Sequence, residues 1–368
     1  MPPNRGNYVS EWFGHRVYPT VVARSDSLRD QQAETCPFLS KVTNEERRCI
    51  KSAAARGVCT ISTATSGKRM DWLVCPYRAL DPHMIEDAVR RLFGFPAQQL
   101  AFIVPAIRLV DQGVRQIVAD RLDAGGRVFV YFDEKLGGEL SIPPTARSPE
   151  FSFDVTIIEI ELVDGKPHVG RFSVMEIQTM DFHGSYRKVV ANLKDGLRLH
   201  PENFAATLQG NPRWLSEDIE GPNIANVFKR TFYQMMFKFQ LGQSPRCAGC
   251  VLAVPMSVWE SWQRHLGNPD LTPEPDGTWS LFRSGQARPA VVPAWVYVFD
   301  LDPEGADSPG PIILSKIIAT DAPSMSFYAL EVAPAAALEN IASPSGMLML
   351  LARRLGKLWP ELGATLTA

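Results

Sequence analysis

The sequence lacks the features that would assign it to a membrane or secreted class. No apolar run approaches the roughly 18 residues that a transmembrane helix needs. The opening residues, MPPNRGNYVSEWFG, lack the apolar stretch of a secretion signal. We therefore expect a cytoplasmic protein that does not enter a membrane.

The chain also lacks a strong charge of either sign. Its formal net charge is −2, and charged residues make up 21% of its 368 residues. Proteins that coat nucleic acid without sequence preference usually carry a basic domain, so this balance argues against that class. It does not argue against sequence-specific DNA binding through a local basic cleft. The hydrophobic content of 45% is typical of a globular protein with one large domain or two smaller ones.

The order of the predicted elements indicates a mixed α/β core without internal repeats. Apolar residues with helical spacing follow Asp81-Pro82, which is a typical helix start. Further elements are expected as helices over 105–123, 221–241 and 345–358, strands over 127–132, 151–162, 169–178, 251–254 and 295–301, and a surface loop over 267–290. We expect two domains, over residues 1–80 and 81–368.

Three polar side chains mark the two strands that the turn Asp164-Gly165-Lys166 joins. Glu176 and Gln178 are two residues apart on the second strand and therefore share a face. If the turn has an odd number of residues centred on Gly165, Asp154 of the first strand lies opposite Glu176. The apolar alternation changes near residues 157 and 158, which is typical of a bulge that would alter this register.

Two carboxylates and an amide oxygen on one patch would form a hard-oxygen site suited to Mg²⁺. Hydrolysis of a phosphodiester uses such an ion to polarise the phosphate and to activate water. The alternative is an edge hairpin whose polar residues face water. The Asp…Glu-x-Lys pattern is short and arises often by chance, and Gln178 stands at its lysine position.

Four of the six cysteines lie in the N-terminal segment, at Cys36, Cys49, Cys59 and Cys75. Cysteines of a cytoplasmic chain are expected to be reduced, so a cluster indicates metal ligands before disulfides. Four thiolates suit zinc and iron equally well, and the alternative is a set of free buried cysteines. The single CxxC pair, Cys247 and Cys250, leads into an apolar strand and is expected to be two buried free thiols.

Longer segments resemble a known family. They are FGHRVYP (13–19), TCPFL (35–39), RGVC (56–59), DWLVCP (71–76), YFDEKLGGELSI (131–142), SPEFSFD (148–154), EIQTMDFHGSY (176–186) and GPNIANVFKRTFYQM (221–235). In this order they resemble Type II restriction endonucleases of one branch of the PD-(D/E)xK nuclease superfamily. The resemblance extends over almost the whole chain and weakens beyond residue 300.

The resemblance implies a fold and a site. The fold would be a PD-(D/E)xK restriction-endonuclease-like α/β core, with a mixed central sheet flanked by helices, plus an N-terminal four-cysteine metal-binding module. Its catalytic pattern falls on Asp154, Glu176 and Gln178, with Mg²⁺ on the two carboxylates. The four N-terminal cysteines would hold structural iron, with zinc as the alternative. Glu139 would be either an additional catalytic carboxylate or an exposed acidic residue.

The resemblance further implies a Type II restriction endonuclease that acts as a homodimer on double-stranded DNA. Its target would be a palindrome made of G and C, GCGGCCGC or a related site, with one strand cut by each subunit. Basic residues near the site are candidates for DNA contacts, namely Arg187, Lys188, Lys229 and Arg230. His183 is a candidate general base or substrate-positioning residue. The alternatives are a catalytically silent DNA-binding protein that uses the four-cysteine module, and a repair or transposition nuclease.

Overall fold

The computed structural model of the chain describes residues 6–65, 68–96, 99, 101–302, 308–339 and 344–361. A four-stranded sheet and a nine-stranded mixed sheet, with helices on both faces of the larger one, form the framework of the fold. The predicted α/β class with a large mixed sheet flanked by helices is therefore confirmed. Within the same residues, no helix is both long enough and apolar enough to cross a bilayer. The outer ends of the two predicted domains, residues 1 and 368, lie outside the described residues.

The N-terminal part contains the smaller, antiparallel sheet. Its elements are β1 (Tyr8–Trp12), β2 (His15–Arg16), α1 (Ser25–Ala33), α2 (Pro37–Thr43), β3 (Val58–Thr65) and β4 (Lys68–Leu73). The strand order is β2-β1-β3-β4. Val9 and Trp12 of β1 pack in one apolar cluster with Val189 and Leu193, which lie far along the chain. The N-terminal segment thus shares a core with later elements, and a domain boundary at residue 80 stays a prediction.

The larger sheet and its helices follow. The elements are α3 (Pro82–Phe93), β5 (Ala101–Pro105), α4 (Gln112–Asp123), β6 (Arg127–Phe132), β7 (Leu140–Ile142), β8 (Phe151–Phe153), β9 (Val155–Val163), β10 (Lys166–Ile177), β11 (Phe182–Gly184), α5 (Arg187–Leu199), α6 (Phe204–Gly210), β12 (Ile219–Pro222), α7 (Ile224–Leu241), β13 (Cys247–Pro255), α8 (Met256–Trp262), β14 (Thr272–Pro273), β15 (Trp279–Ser280), β16 (Ala294–Leu301), β17 (Ile312–Thr320), α9 (Ala322–Phe327), α10 (Ala333–Glu339) and α11 (Pro344–Leu355). The sheet order is β14-β15-β17-β16-β13-β10-β9-β6-β5. Strand β10 lies between antiparallel β9 and parallel β13.

Alternation along β10 divides the core between the two faces of the sheet. Met175 joins the cluster on the side of α3, whose apolar stripe includes Met84 and Val89. Val174 joins the opposite cluster with Val227 and other residues of α7. By the same alternation, the side chain that follows Met175 along β10 belongs to the face covered by α7.

Several predicted bounds need correction. The helix predicted over 105–123 is α4, which begins at Gln112 because the Asp111 carboxylate caps it by accepting a 2.7 Å hydrogen bond from the Gly113 N–H. The strand predicted over 151–162 is broken at Asp154 into β8 and β9. The predicted loop over 267–290 contains the short strands β14 and β15. The helix predicted over 221–241 begins at Ile224, because residues 219–222 form a strand.

The turn between β9 and β10 has two residues, so the condition of an odd-numbered turn is not met. Asp164 and Gly165 both have positive φ, as a type I′ hairpin turn requires. Between Val169 and Phe172 the register shifts by one residue, which is a bulge. The bulge offsets the even turn, so that Met175 pairs with Val155 and the next residue of β10 comes level with Asp154.

Candidate active site

A cleft of about 410 Å³ opens where β10 ends. Six carboxylates and two basic side chains contribute to its lining: Asp133, Glu134, Glu139, Asp154, Glu176, Asp181, Arg230 and Lys238. Gln178 lines it as well. The structure therefore brings the four predicted catalytic residues, Asp154, Glu176, Gln178 and Glu139, to one cleft.

Asp154 occupies the break between β8 and β9, where its backbone is released from strand pairing. Its carboxylate accepts a 2.8 Å hydrogen bond from the backbone N–H of Ile177, the last residue of β10. Burial raises the pKa of Asp154, and the hydrogen bond from Ile177 works against that rise. The carboxylate is thus held in one position beside the end of the neighbouring strand.

Glu176 lies on the α7 face of β10 and is only 6% exposed. Burial, followed by the negative charge of Asp154, raises the pKa of Glu176 to about 7. The ammonium of Lys238 forms an ion pair with this carboxylate and works in the opposite direction. Two buried carboxylates that repel each other are a favourable place for a cation.

A third buried carboxylate, Asp133, was not identified from the sequence. It follows the last residue of β6, the strand that pairs with β9, and therefore lies at the same end of the sheet as Asp154. Burial raises the pKa of Asp133 to about 6, and the nearby charge of Asp154 adds to this. In the sequence, Asp133 directly follows a predicted strand, which made it a possible site residue. The sequence did not show that this strand pairs with β9.

Gln178 lies one residue beyond β10, where its backbone N–H donates to the carbonyl of Ala253 at 3.0 Å. The side-chain nitrogen donates to the carbonyl oxygen of Thr179. The hydroxyl of Thr231, on α7, lies 2.6 Å from the side-chain oxygen and 2.8 Å from the Val227 carbonyl, so its single proton serves both acceptors. The amide is therefore fixed in place, and it supplies no charge.

Lys238 is the second residue that the sequence did not reveal. It projects from α7 onto Glu176 and is only 4% exposed. Arg230, Gln234 and Lys238 all line the cleft and recur at every fourth position, which places them on one side of the helix. This polar stripe was a usable signal, because it runs beside the apolar residues that α7 buries.

The remaining candidates lie at the rim or away from the cleft. Glu139, in the loop before β7, is exposed, and its charge raises the pKa of Asp133 and of Asp154. Arg230 lines the cleft and forms a 3.0 Å ion pair with Asp181. The other sequence candidates are exposed and do not line it: His183, Arg187, Lys188 and Lys229.

The carboxylates fit a loosely held magnesium ion better than a closed metal cage. Among the described residues, no group of three or more His, Cys, Asp or Glu side chains is arranged to hold a metal ion. Mg²⁺ usually keeps several waters and binds through one or two carboxylates together with substrate phosphates. Asp154 and Glu176 supply such a pair, inside a cleft that leaves room for water and a phosphate.

The four N-terminal cysteines come together but do not form a ready metal centre. Cys36, Cys49, Cys59 and Cys75 line one small cavity. The interaction between the last two raises the pKa of Cys59 and lowers that of Cys75 to about 6, and burial raises the pKa of Cys36 to about 12. Across the described part of the chain no four-cysteine metal-binding group is seen.

Two of these sulfurs make hydrogen bonds with the backbone. The thiol of Cys59 donates to the carbonyl of Gly57 at 3.3 Å, and the Gly57 N–H donates to the sulfur of Cys49 at 3.4 Å. Two of the four sulfurs are thus engaged by the backbone of Gly57. Cys247 and Cys250 are buried and free, as predicted.

Comparison with known proteins does not assign the chain to a family. No protein-family model matches it, and no curated protein shows significant similarity to it. The resemblance to restriction endonucleases therefore stays a prediction, and function has to be inferred from the chemistry of the cleft.

Proposed function

We propose that the chain is a Mg²⁺-dependent endonuclease that hydrolyses double-stranded DNA as a Type II restriction enzyme. One observation supports this most: the carboxylates of Asp154, which is half-buried, and of Glu176, which is buried, interact at the end of β10 in an open cleft. A divalent cation at the phosphate is a common means of promoting phosphodiester hydrolysis, and one or two carboxylates are the usual protein ligands for Mg²⁺.

Each side chain has a role in this reaction. Asp154, oriented by the Ile177 N–H, and Glu176 would hold the ion. When bound, Mg²⁺ would polarise the phosphate and lower the pKa of a water molecule. The fixed amide of Gln178 is suited to position that water. The water oxygen bonds to phosphorus as one ester P–O bond breaks; the water gives a proton to solvent, and the leaving oxygen takes one up.

The hairpin supports a PD-(D/E)xK core as the finer description of the fold. Asp154 directly precedes β9, Glu176 is the last residue but one of β10, and Gln178 directly follows β10, an arrangement that is consistent with this pattern in a mixed sheet. Position 178 departs from the common pattern because it holds an amide where most members have lysine. The charge at this site must therefore come from elsewhere.

A palindromic G/C target and a homodimer belong to the same proposal. The cleft at the end of β10 would act on one strand, so a cut of both strands would use two copies, and two-fold symmetry matches a palindrome. Arg230 at the rim is best placed to meet DNA. Three other basic residues are exposed outside the cleft and would contact the DNA phosphate backbone, namely Arg187, Lys188 and Lys229.

We also propose that the four N-terminal cysteines bind a structural metal, iron or zinc. Their donor chemistry suits both ions, and the four line one cavity. The positive charges of Lys51 and Arg78 lower the pKa of Cys75, which favours a thiolate there. The side chains would have to turn from their backbone partners to reach one ion. Metal analysis of the purified protein tests this directly.

The experiment that tests the main proposal is digestion of long GC-rich DNA of known sequence, with Mg²⁺ and with EDTA. We expect discrete fragments in Mg²⁺ only, with ends that map to one G/C palindrome. DNA that stays intact with a folded protein would contradict the nuclease. Smears or cuts at structural features would instead support a repair or transposition nuclease.

A catalytically silent DNA-binding protein is the second candidate. Two observations favour it. The carboxylate of Glu176 is already paired with the ammonium of Lys238, and the side chain of Gln178 carries no charge. This alternative predicts site-specific binding to a duplex without cleavage under any divalent ion. A gel-shift assay in Ca²⁺, followed by addition of Mg²⁺ or Mn²⁺, separates the two candidates.

A further inference from the structure

The cleft has a surplus of buried negative charge and little to balance it. Asp133 and Glu176 are almost fully buried, and Asp154 is partly so. Two basic side chains line the cleft, and Arg230 is exposed and already paired with Asp181. Lys238 is therefore the buried cation of this cleft, as far as the described residues show.

The contacts of Lys238 leave part of its ammonium available. An ammonium has three N–H donors. One contacts Glu176, and in the described parts of the chain no other acceptor lies within hydrogen-bond distance of Lys238. The ring of Phe153 lies 5.7 Å away, which adds a favourable contact without using a hydrogen-bond donor. Two donors thus remain for a ligand such as a phosphate oxygen.

Lys238 also lies close to position 178, where the side chain carries no positive charge. Gln178 faces the same side of the sheet as Glu176, and its amide is held by Thr231, seven residues before Lys238 on α7. The helix therefore both fixes the neutral amide and delivers a cation beside it. A buried ion pair by itself contributes little to the free energy of unfolding, because desolvation of both charges offsets most of their attraction. Stability alone is therefore a weak reason for a lysine at this position.

We infer that Lys238 supplies from α7 the positive charge that position 178 lacks, and that it stabilises the negative charge developing on the scissile phosphate. This inference rests on the proposed nuclease function. Lys238 would exchange part of its contact with Glu176 for a non-bridging phosphate oxygen when DNA enters the cleft. It would donate hydrogen bonds and keep its proton throughout the reaction.

The test compares single-turnover cleavage by wild type, Lys238→Met and the double variant Gln178→Lys/Lys238→Met. We expect Lys238→Met to cleave roughly 10²–10³-fold more slowly, as for loss of one charge-stabilising donor, with duplex affinity in Ca²⁺ changed by less than about 3-fold. The double variant restores a lysine at the strand position, and we expect it to regain at least about 10-fold of the lost rate. Lys166→Met, on the exposed far end of the same hairpin, is the matched control and should cleave like wild type.

Titration with Mg²⁺ distinguishes this role from simple pairing with Glu176. If Lys238 acts on the phosphate, the defect of Lys238→Met persists at saturating Mg²⁺. If it only neutralises Glu176, saturating Mg²⁺ removes the defect, and the inference is wrong. Circular dichroism and thermal melting check folding. Should Lys238→Met fail to fold, the double variant decides, because a folded but inactive double variant contradicts the inference.

The two proposals fail in different ways. Wild type that never cleaves DNA would contradict the nuclease itself. Wild type that cleaves at a specific site, together with a Lys238→Met variant that cleaves equally fast, would leave the nuclease standing and remove the role of Lys238.

Discussion

The carboxylate of Asp154 accepts a 2.8 Å hydrogen bond from the backbone N–H of Ile177, 23 residues further along the chain. This contact ties the break between β8 and β9 to the last residue of β10. It follows from two local features, a two-residue turn and a one-residue bulge, whose effects on register offset each other. The catalytic geometry that we propose depends on that offset, because a one-residue slip would turn Glu176 to the opposite face.

Asp133 should make the stability of the protein depend on pH. Because burial raises its pKa to about 6 in the folded state, against about 4 in the unfolded chain, the folded state binds the proton more tightly. Ionisation of this group therefore lowers the free energy of unfolding as pH rises from about 4 to about 6. Above that range the free energy of unfolding stays lowered by the full amount. We expect the stability advantage of Asp133→Asn over wild type to grow by about 1–2 kcal/mol between pH 5 and pH 8.

Urea unfolding in EDTA at the two pH values measures this difference. Asp123→Asn on α4 is the control, because that carboxyl is exposed and its replacement should have the same small effect at both pH values. An Asp133→Asn effect that is equal at pH 5 and pH 8 would contradict the burial of an ionised carboxylate at this site.

Thr231 should influence cleavage although it does not line the cleft. Thr231→Val removes the hydroxyl 2.6 Å from the Gln178 side-chain oxygen and nearly preserves the shape of the side chain. Gln178 would lose one of the partners that orient it, and we expect cleavage to slow by roughly 10–100-fold, a typical effect of residues that orient metal-site groups. Single-turnover kinetics at saturating Mg²⁺ measure the change.

Thr207→Val is the control for this experiment, since Thr207 lies on α6 and is only half-buried. It should leave cleavage unchanged. A Thr231→Val enzyme with the wild-type rate would show that the orientation of Gln178 does not matter, and the water-positioning role of that amide would have to be abandoned.

The four-cysteine cluster should lose its metal when one thiol is removed. Cys59 is buried among the others, so Cys59→Ser removes a ligand without changing the size of the side chain much. We expect metal content to fall from about one ion per chain to almost none, with a loss of about 2–5 kcal/mol of stability. Elemental analysis by mass spectrometry and thermal melting measure both effects.

Cys247→Ser provides the comparison for that variant. Cys247 is equally a buried thiol but lies in β13, away from the cluster, so the metal content should not change. If wild type contains neither iron nor zinc, or if Cys59→Ser keeps its ion, the cysteines are free buried residues, which is the alternative that the sequence left open.

Much of the fold followed from local pattern. The stripe of Met84, Ile85, Ala88, Val89 and Leu92 after a capping aspartate identified α3, and the run over 127–132 identified β6 with its bounds. The helix expected over 105–123 was predicted to begin too early, because residues 106–110 form a separate 3₁₀ helix and Pro105 is the last residue of the strand that pairs with β6. Tertiary pairing of that kind overrides local propensity and cannot be seen in one segment.

The sequence identified the site residues that lie on one hairpin but not those that reach the cleft from other elements. Asp154, Glu176 and Gln178 share one hairpin, so the sequence could place them near one another, but their register depends on the bulge between Val169 and Phe172 that offsets the two-residue turn. Asp133 and Lys238 reach the cleft from β6 and α7, and their proximity depends on strand order and on which side of α7 faces the sheet. The contacts of the cysteines were out of reach for the same reason, since spacing does not reveal which backbone groups compete for a thiol.

The most direct test of the central claim is a side-by-side digestion of GC-rich DNA by Asp154→Asn and Glu161→Gln. Asp154→Asn removes a proposed metal ligand, whereas Glu161→Gln makes the same chemical change at an exposed position near the far end of the hairpin. We expect Asp154→Asn to lose at least roughly 10³-fold in cleavage rate while it still binds the duplex, and Glu161→Gln to give the wild-type fragments. Equal cleavage by both variants would contradict a catalytic site at the end of β10.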